Sequence, residues 1–220
     1  MRKTFRLIVV AAAMLATSNA NAQLGINIGY APVTLTTQTT LGNTTSTSSS
    51  DMNGFFAGVN HNTVLGSGLG LSLGLQGRFN IKTSTGSANF VVVSGNDQTT
   101  TTQFLIDVPV LLNYGLDLGG GAMLTAFAGP TFSYALAGNT HVKTTTSLLG
   151  NTSTSENDYA MYGDNSNNNR FDICATFGLE FHYYDYRLFG GYRFGLIDLN
   201  TGDNVKTASS GIFIGFGFIL

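Results

Sequence analysis

Between positions 171 and 183 every second residue is apolar: Phe171, Ile173, Ala175, Phe177, Leu179, Phe181 and Tyr183. The interleaved residues are Asp172, Cys174, Thr176, Gly178, Glu180 and His182. A period of two belongs to a strand with one apolar face. The alternation returns at Phe104, Ile106, Val108, Val110, Leu112, Tyr114 and Leu116, set against Gln103, Asp107, Pro109 and Asn113. It returns again at Leu124 to Leu136, at Leu69 to Ile81 and at Ile212 to Leu220. In none of these segments does the apolar phase hold a charge. Leu188, Tyr192, Phe194 and Leu196 continue it, with Arg187 and Arg193 in the other phase.

The pattern predicts eight strands, over roughly 24–35, 51–61, 68–82, 102–116, 121–137, 170–184, 186–199 and 207–220. Their connections alternate in length. Those over 36–50, 83–101, 138–169 and 200–206 are rich in Ser, Thr, Asn and Gly and read as the longer outer loops, of which the 36–50 tract is expected to be mobile and exposed. Those over 62–67, 117–120 and at Asp185 are short. Long and short connections on opposite sides, with apolar stripes of about 9–11 residues, imply an eight-stranded antiparallel up-and-down transmembrane β-barrel. A soluble sandwich or lipocalin-like barrel would turn the apolar phase inward and need a densely charged opposite phase. Here that phase is Gly, Ser, Thr and scattered charges, which suits a cramped lumen, and the chain has no Trp.

Composition sharpens the picture. Charged residues are 10% of the chain, against ~25% in ordinary soluble domains. Residues 1–22 read as a cleavable secretory signal: a basic start at Arg2, Lys3 and Arg6, an apolar run from Leu7 to Ala16, and a small-x-small site at Ala20–Ala22. That leaves 23–220 as one barrel domain, with seven bases against twelve acids and a formal charge of −5. With no basic cluster, nucleic acid is not an expected partner. Cys174 is the only cysteine, so no intramolecular disulfide can form.

The runs "FLIDVPVLLNYG" (104–115), "GPTFSYALAG" (129–138), "FDICATFGLEFHY" (171–183) and "YRLFGGYRFGLIDLN" (186–200) carry a family resemblance. Over residues 23–220 the chain resembles the PorT-like outer-membrane β-barrel domain. The resemblance implies the barrel fold and a place in the bacterial cell outer membrane. It brings no catalytic motif and no cofactor. Members are mostly uncharacterised, and the named one is tied to protein secretion and surface translocation.

Candidate chemistry concentrates in the polar phase. Arg78, Arg187 and Arg193 are expected to pair inside the lumen with Asp107, Asp172 and Glu180, because a lone charge there would suffer a large desolvation cost. Lys82 and His182 share that phase. None of the histidines, 61, 141 and 182, shows a convincing Ser and acid partner set, so no enzyme is expected. The oxygen-rich stretch 163–169 could ligate calcium, yet it lacks the central Gly and bidentate Glu of an EF-hand loop and reads as a solvated loop. No cofactor or metal is expected. The expected partners are outer-membrane lipid, periplasmic chaperones and the barrel assembly machinery during biogenesis, and an unidentified surface or secretion partner. The function expected is structural or surface interaction, with a narrow solute or ion conduit as the alternative.

Overall fold

The computed structural model describes residues 22–89, 93–148, 151–163 and 166–220. The segment read as a signal peptide lies outside them, apart from Ala22. The chain forms β1 (Ala22–Tyr30), β2 (Val33–Leu41), β3 (Thr44–Gly66), β4 (Leu69–Asn89), β5 (Val93–Gly119), β6 (Ala122–Leu148), β7 (Asn151–Ala160), β8 (Phe171–Tyr183), β9 (Tyr186–Gly195) and β10 (Val205–Ile219). Every ladder is antiparallel, and the sheet closes on itself where β10 meets β1 and β2.

Ten strands make an eight-stranded wall. β1 and β2 are one crossing interrupted at Ala31-Pro32: Tyr30 pairs with Ile214 and Thr34 with Ser210, in a single register along β10. Proline has no N–H to give the ladder. Ala31 restores part of the pairing by donating its N–H to the Gly54 carbonyl at 2.8 Å. Among the described residues β7 pairs only with β6, and it stands outside the ring. Between β5 and β6, the Gly119–Gly121 turn uses three positive φ angles, from 63° to 81°, which glycine adopts without strain.

The phases fall as the alternation requires. Ile28, Leu112, Leu179 and Ile212 are each more than half exposed on the outer surface, which is where lipid tails lie. Cross-strand register lines up Tyr30, Phe55, Phe79 and Phe104 into an aromatic row on the outer face of four adjacent strands. Near the opposite end stand Tyr114, Tyr183, Tyr184 and Tyr186, with Tyr183 and Tyr184 edge to face at 4.8 Å. Phe104 and Tyr114 are ten positions apart on β5. At ~3.4 Å per residue and a tilt of ~40°, that is ~26 Å of height, close to the apolar band of a membrane barrel. His61 is the exception on this face, buried between Leu24 and Leu73 near the turn end.

Four phenylalanines interrupt the polar phase and fill the middle of the lumen. Phe56, Phe127 and Phe189 form a buried cluster with Ala31, and Phe213 packs against it. Each ring lies over a glycine of a neighbouring strand: Phe56 over Gly29, Phe127 over Gly178, Phe189 over Gly215 and Phe213 over Gly191. An eight-stranded barrel has room for little more than its own side chains. Bare glycine backbone makes space for a large ring, and the ring in turn covers that backbone.

The segments read as long outer loops over 36–50, 83–101 and 138–169 are largely paired strands among the described residues, the 36–50 tract expected to be mobile included. Val33–Leu41 pairs with Thr44–Met52 as a hairpin. Above Ile81, β4, β5, β6 and β7 continue as a four-stranded ribbon, in register from Asn89↔Ser94 across to Asn139↔Ala160. Threonine is β-branched and suits strands, and facing hydroxyls bond across the ladders, as at Thr101–Thr140 (3.3 Å) and Thr83–Thr100 (3.4 Å). Low complexity hid this pairing because these segments lack apolar alternation.

Candidate functional site

All six charged residues singled out above face the lumen. Asp107 is the hub of the upper cluster. Its Oδ2 lies 3.0 Å from Arg78 Nε as an ion pair and accepts from Arg193 Nη1 at 3.0 Å, and its Oδ1 accepts from Arg78 Nη2 at 3.3 Å. Strand register explains the first contact: Asp107 stands beside Gln76 on β4, two residues from Arg78 on the same face. Arg193 reaches in from the far wall.

Below the phenylalanine layer, Arg187 donates from Nη1 to Glu180 Oε2 at 3.4 Å and from Nη2 to Asn60 Oδ1 at 2.6 Å, with Asn27 Oδ1 also accepting. Glu180 lies diagonally across the β8–β9 hairpin from Arg187, and His182 contacts the same carboxylate through Nε2. Arg187 is 3% exposed, so this cluster is desolvated and its partners carry its charge.

Asp172 departs from the expected pairing with an arginine. It accepts from the Ser209 hydroxyl at 2.6 Å and from the Cys174 thiol at 3.3 Å. The reason is its height. β8 pairs with β9 only up to Cys174↔Gly195, so Asp172 lies past the end of β9 and meets β10 instead. Lys82 likewise turns to the β3 hairpin, donating to Ser50 Oγ at 2.7 Å.

A cap closes the outer mouth. Arg170 Nη1 donates to the carbonyls of Ala135 (3.1 Å) and Leu136 (3.0 Å), and Nη2 to that of Tyr162 (3.2 Å). Its guanidinium also lies over the Tyr162 ring at 5.3 Å. The Tyr162 hydroxyl accepts from Gln103 Nε2 at 3.1 Å. Beneath the cap is a chamber of about 70 Å³. A second, of about 90 Å³, lies toward the turn end. Among the described residues, Arg78 alone lines both.

The sequence reading missed the cap and the phenylalanine layer. Phe127, Phe189 and Phe213 could have been found as large residues in the wrong phase opposite glycines. Arg170 and Tyr162 carry no such signal, since their contacts are with backbone carbonyls and with residues remote in sequence. Of the 163–169 stretch, residues 164–165 lie outside the described residues. Asn167 and Asn168 are tied to the 199–201 segment, with Thr201 N donating to the Asn167 carbonyl at 2.8 Å and Asn168 bridging Asn200. Among the described residues no three His, Cys, Asp or Glu side chains converge as metal ligands.

On the ribbon, outside the membrane-spanning strands, His141 does have an acid partner. Its Nδ1 lies 2.9 Å from Asp158 Oδ1, and Lys143 Nζ lies 2.8 Å from Glu156 Oε1. The hydrogen bond from His141, then that from Asn139, holds the Asp158 carboxyl below its ordinary pKa. Lys143 does the same for Glu156. The partners are adjacent because β6 and β7 pair in register. All ten residues of β7 are exposed.

The sequence model of the family described as "Outer membrane protein beta-barrel domain" matches residues 13–200. No curated protein matches the chain. Among solved structures, Ail, the attachment invasion locus protein of Yersinia pestis, is similar at 14% identity over 90% of this chain and 99% of that one, with a TM-score of 0.30. Neisserial surface protein A is similar at 12% identity over 88% and 96%, with a TM-score of 0.38. LpxR from Salmonella typhimurium is similar at 9% identity over 89% and 99%, with a TM-score of 0.31.

Proposed function

The chain belongs to the outer membrane protein beta-barrel domain family and is integral to the outer membrane, and from that premise we propose that it acts through its extracellular face rather than through its lumen. The observation that carries this reading is a contrast between two places. The lumen is crossed by the phenylalanine layer and two ion-paired clusters, while β4–β7 extend past the aromatic row as a Ser/Thr/Asn ribbon. The barrel is then an anchor and the ribbon a display surface for a partner. A role as accessory to secretion, which the PorT-like resemblance suggests, is one form of the same reading.

A narrow conduit is the competing reading, and it draws on the two chambers in series. Planar-bilayer recording separates the two. The refolded barrel is expected to give no steady openings, and large steady conductance would overturn the proposal. Crosslinking on intact cells is expected to recover a partner with the full chain and to lose it when the β6–β7 hairpin is cut back. No catalytic role is proposed for any residue.

A further inference from the structure

One edge of the ribbon is unguarded. Among the described residues β7 pairs with β6 alone, and all ten of its residues are exposed. Sheet edges are ordinarily protected by proline, lysine or a bulge, because free N–H and C=O groups are a template for another strand. β7 contains neither residue, and its ladder to β6 runs without a register shift from Asn139↔Ala160 to Leu148↔Asn151. Met161 N donates to the Gly138 carbonyl, directly opposite it in that register. Hydrogen bonding alternates along an antiparallel pair. The backbone groups of Thr152, Thr154, Glu156 and Asp158 therefore point away from β6, to the free side.

The residues along that edge are complementary to themselves. From 152 to 155 the strand reads Thr-Ser-Thr-Ser, all hydroxyl donors, and from 156 to 158 it reads Glu-Asn-Asp. Antiparallel pairing of two copies about Ser155 sets Thr154 of one against Glu156 of the other, Ser153 against Asn157 and Thr152 against Asp158. Hydroxyl donors then meet carboxylates, which accept on both oxygens. Lys143 uses Oε1 of Glu156, while His141 and Asn139 use Oδ1 of Asp158, which leaves Oε2 and Oδ2 for the second copy. The same register turns outward backbone groups toward outward backbone groups. Centring the pair on Glu156 instead would oppose that carboxylate to its own copy, which is unfavourable.

We infer that the free edge of β7 pairs antiparallel with β7 of a second copy of this chain, seated in a facing membrane. A two-fold axis that relates antiparallel strands is perpendicular to them, whereas two barrels in one membrane are related by an axis along the membrane normal. β7 follows β6, whose Ala122–Tyr134 half is a wall strand paired with β8. It therefore runs outward from the membrane, and its antiparallel copy comes from the opposite direction. The ribbon is then a homotypic contact between outer membranes. The inference rests on the reading of the ribbon as a display surface and names the partner displayed to. Pairing spans Asn151 to Tyr159, a small contact, and many copies on each surface multiply its strength.

Disulfide trapping in proteoliposomes tests the register. Cys174 is buried, so a thiol introduced on β7 reacts alone. Ser155 would stand opposite its own copy as a non-hydrogen-bonded pair with Cα atoms about 4.5 Å apart, within disulfide reach. Under mild oxidation Ser155→Cys is expected to give a covalent dimer. Ser153→Cys, about 14 Å from its copy in that register, is not. Vesicles carrying the unaltered chain should clump, and Thr154→Pro, which removes an outward N–H and leaves the β6 ladder intact, should abolish clumping. Folding of each variant is checked by heat-modifiable gel migration. No dimer at 155, equal trapping at 153 and 155, or unaltered vesicles that stay dispersed would overturn the pairing. Crosslinking on intact cells separates it from the display reading. Recovery of only a different protein through the β6–β7 hairpin overturns the self-pairing and keeps the display surface, whereas recovery of no partner overturns both.

Discussion

The phenyl ring of Phe189 occupies the space where a side chain at Gly215 would stand: a Cβ there would meet its Cζ at 2.4 Å. Large residue and missing side chain sit on neighbouring strands, β9 and β10, with Gly215 directly opposite Phe189. The lumen is packed by such pairs, so each half should be sensitive to change in opposite ways.

Phe189→Ala removes a ring from a filled layer and should cost about 3–5 kcal/mol of folding free energy. Gly215→Val should also destabilise, by overpacking, at about 1–3 kcal/mol. Urea unfolding in micelles or vesicles reads both. The two together should cost less than their sum, because the valine partly fills the space left by the ring.

Asp107 and Asp172 make a second comparison. Asp107→Ala leaves Arg78 and Arg193 buried without their acceptor and should cost about 3–5 kcal/mol. Asp172 is held by a hydroxyl and a thiol, so Asp172→Asn should cost about 1 kcal/mol. Equal losses in the same unfolding assay would mean that Asp107 is not the hub.

The outer face has its own test. Leu179 points at lipid and Gly178 at the lumen. Leu179→Arg should cost about 2–4 kcal/mol if the position lies near the bilayer midplane. A nitroxide at 177 or 179 should report high oxygen accessibility in vesicles, and one at 176 should not. The reverse pattern would turn the barrel inside out.

Acid should loosen the ribbon before the barrel. Asp158 and Glu156 are held below the ordinary carboxylate pKa by His141 and Lys143. A carboxyl depressed in the folded state adds stability above its unfolded pKa and loses it as pH falls through the folded value. Amide hydrogen exchange along β7 should therefore accelerate in the acid range while the wall strands stay protected. Both acids are fully solvated, so the effect should shrink in high salt.

Much of this architecture was readable in advance, because lipid imposes a rule on each residue separately. An outward side chain must be apolar, so the alternation at 171–183 or 104–116 announces the wall, its membrane side and the inward place of Arg78, Asp107 and Glu180. What those inward groups do to one another is another matter. Asp172 loses its arginine because β9 ends two residue pairs short of it, and Arg78 and Arg193 share a single carboxylate because opposite walls meet across the axis. The Ser/Thr ribbon was illegible for a related reason: in water, either face of a strand tolerates hydroxyls, so no periodicity marks the pairing. A solvent that selects side chains one at a time writes its constraint into the order of residues, whereas contacts across a lumen depend on heights and registers that exist only after the sheet has closed.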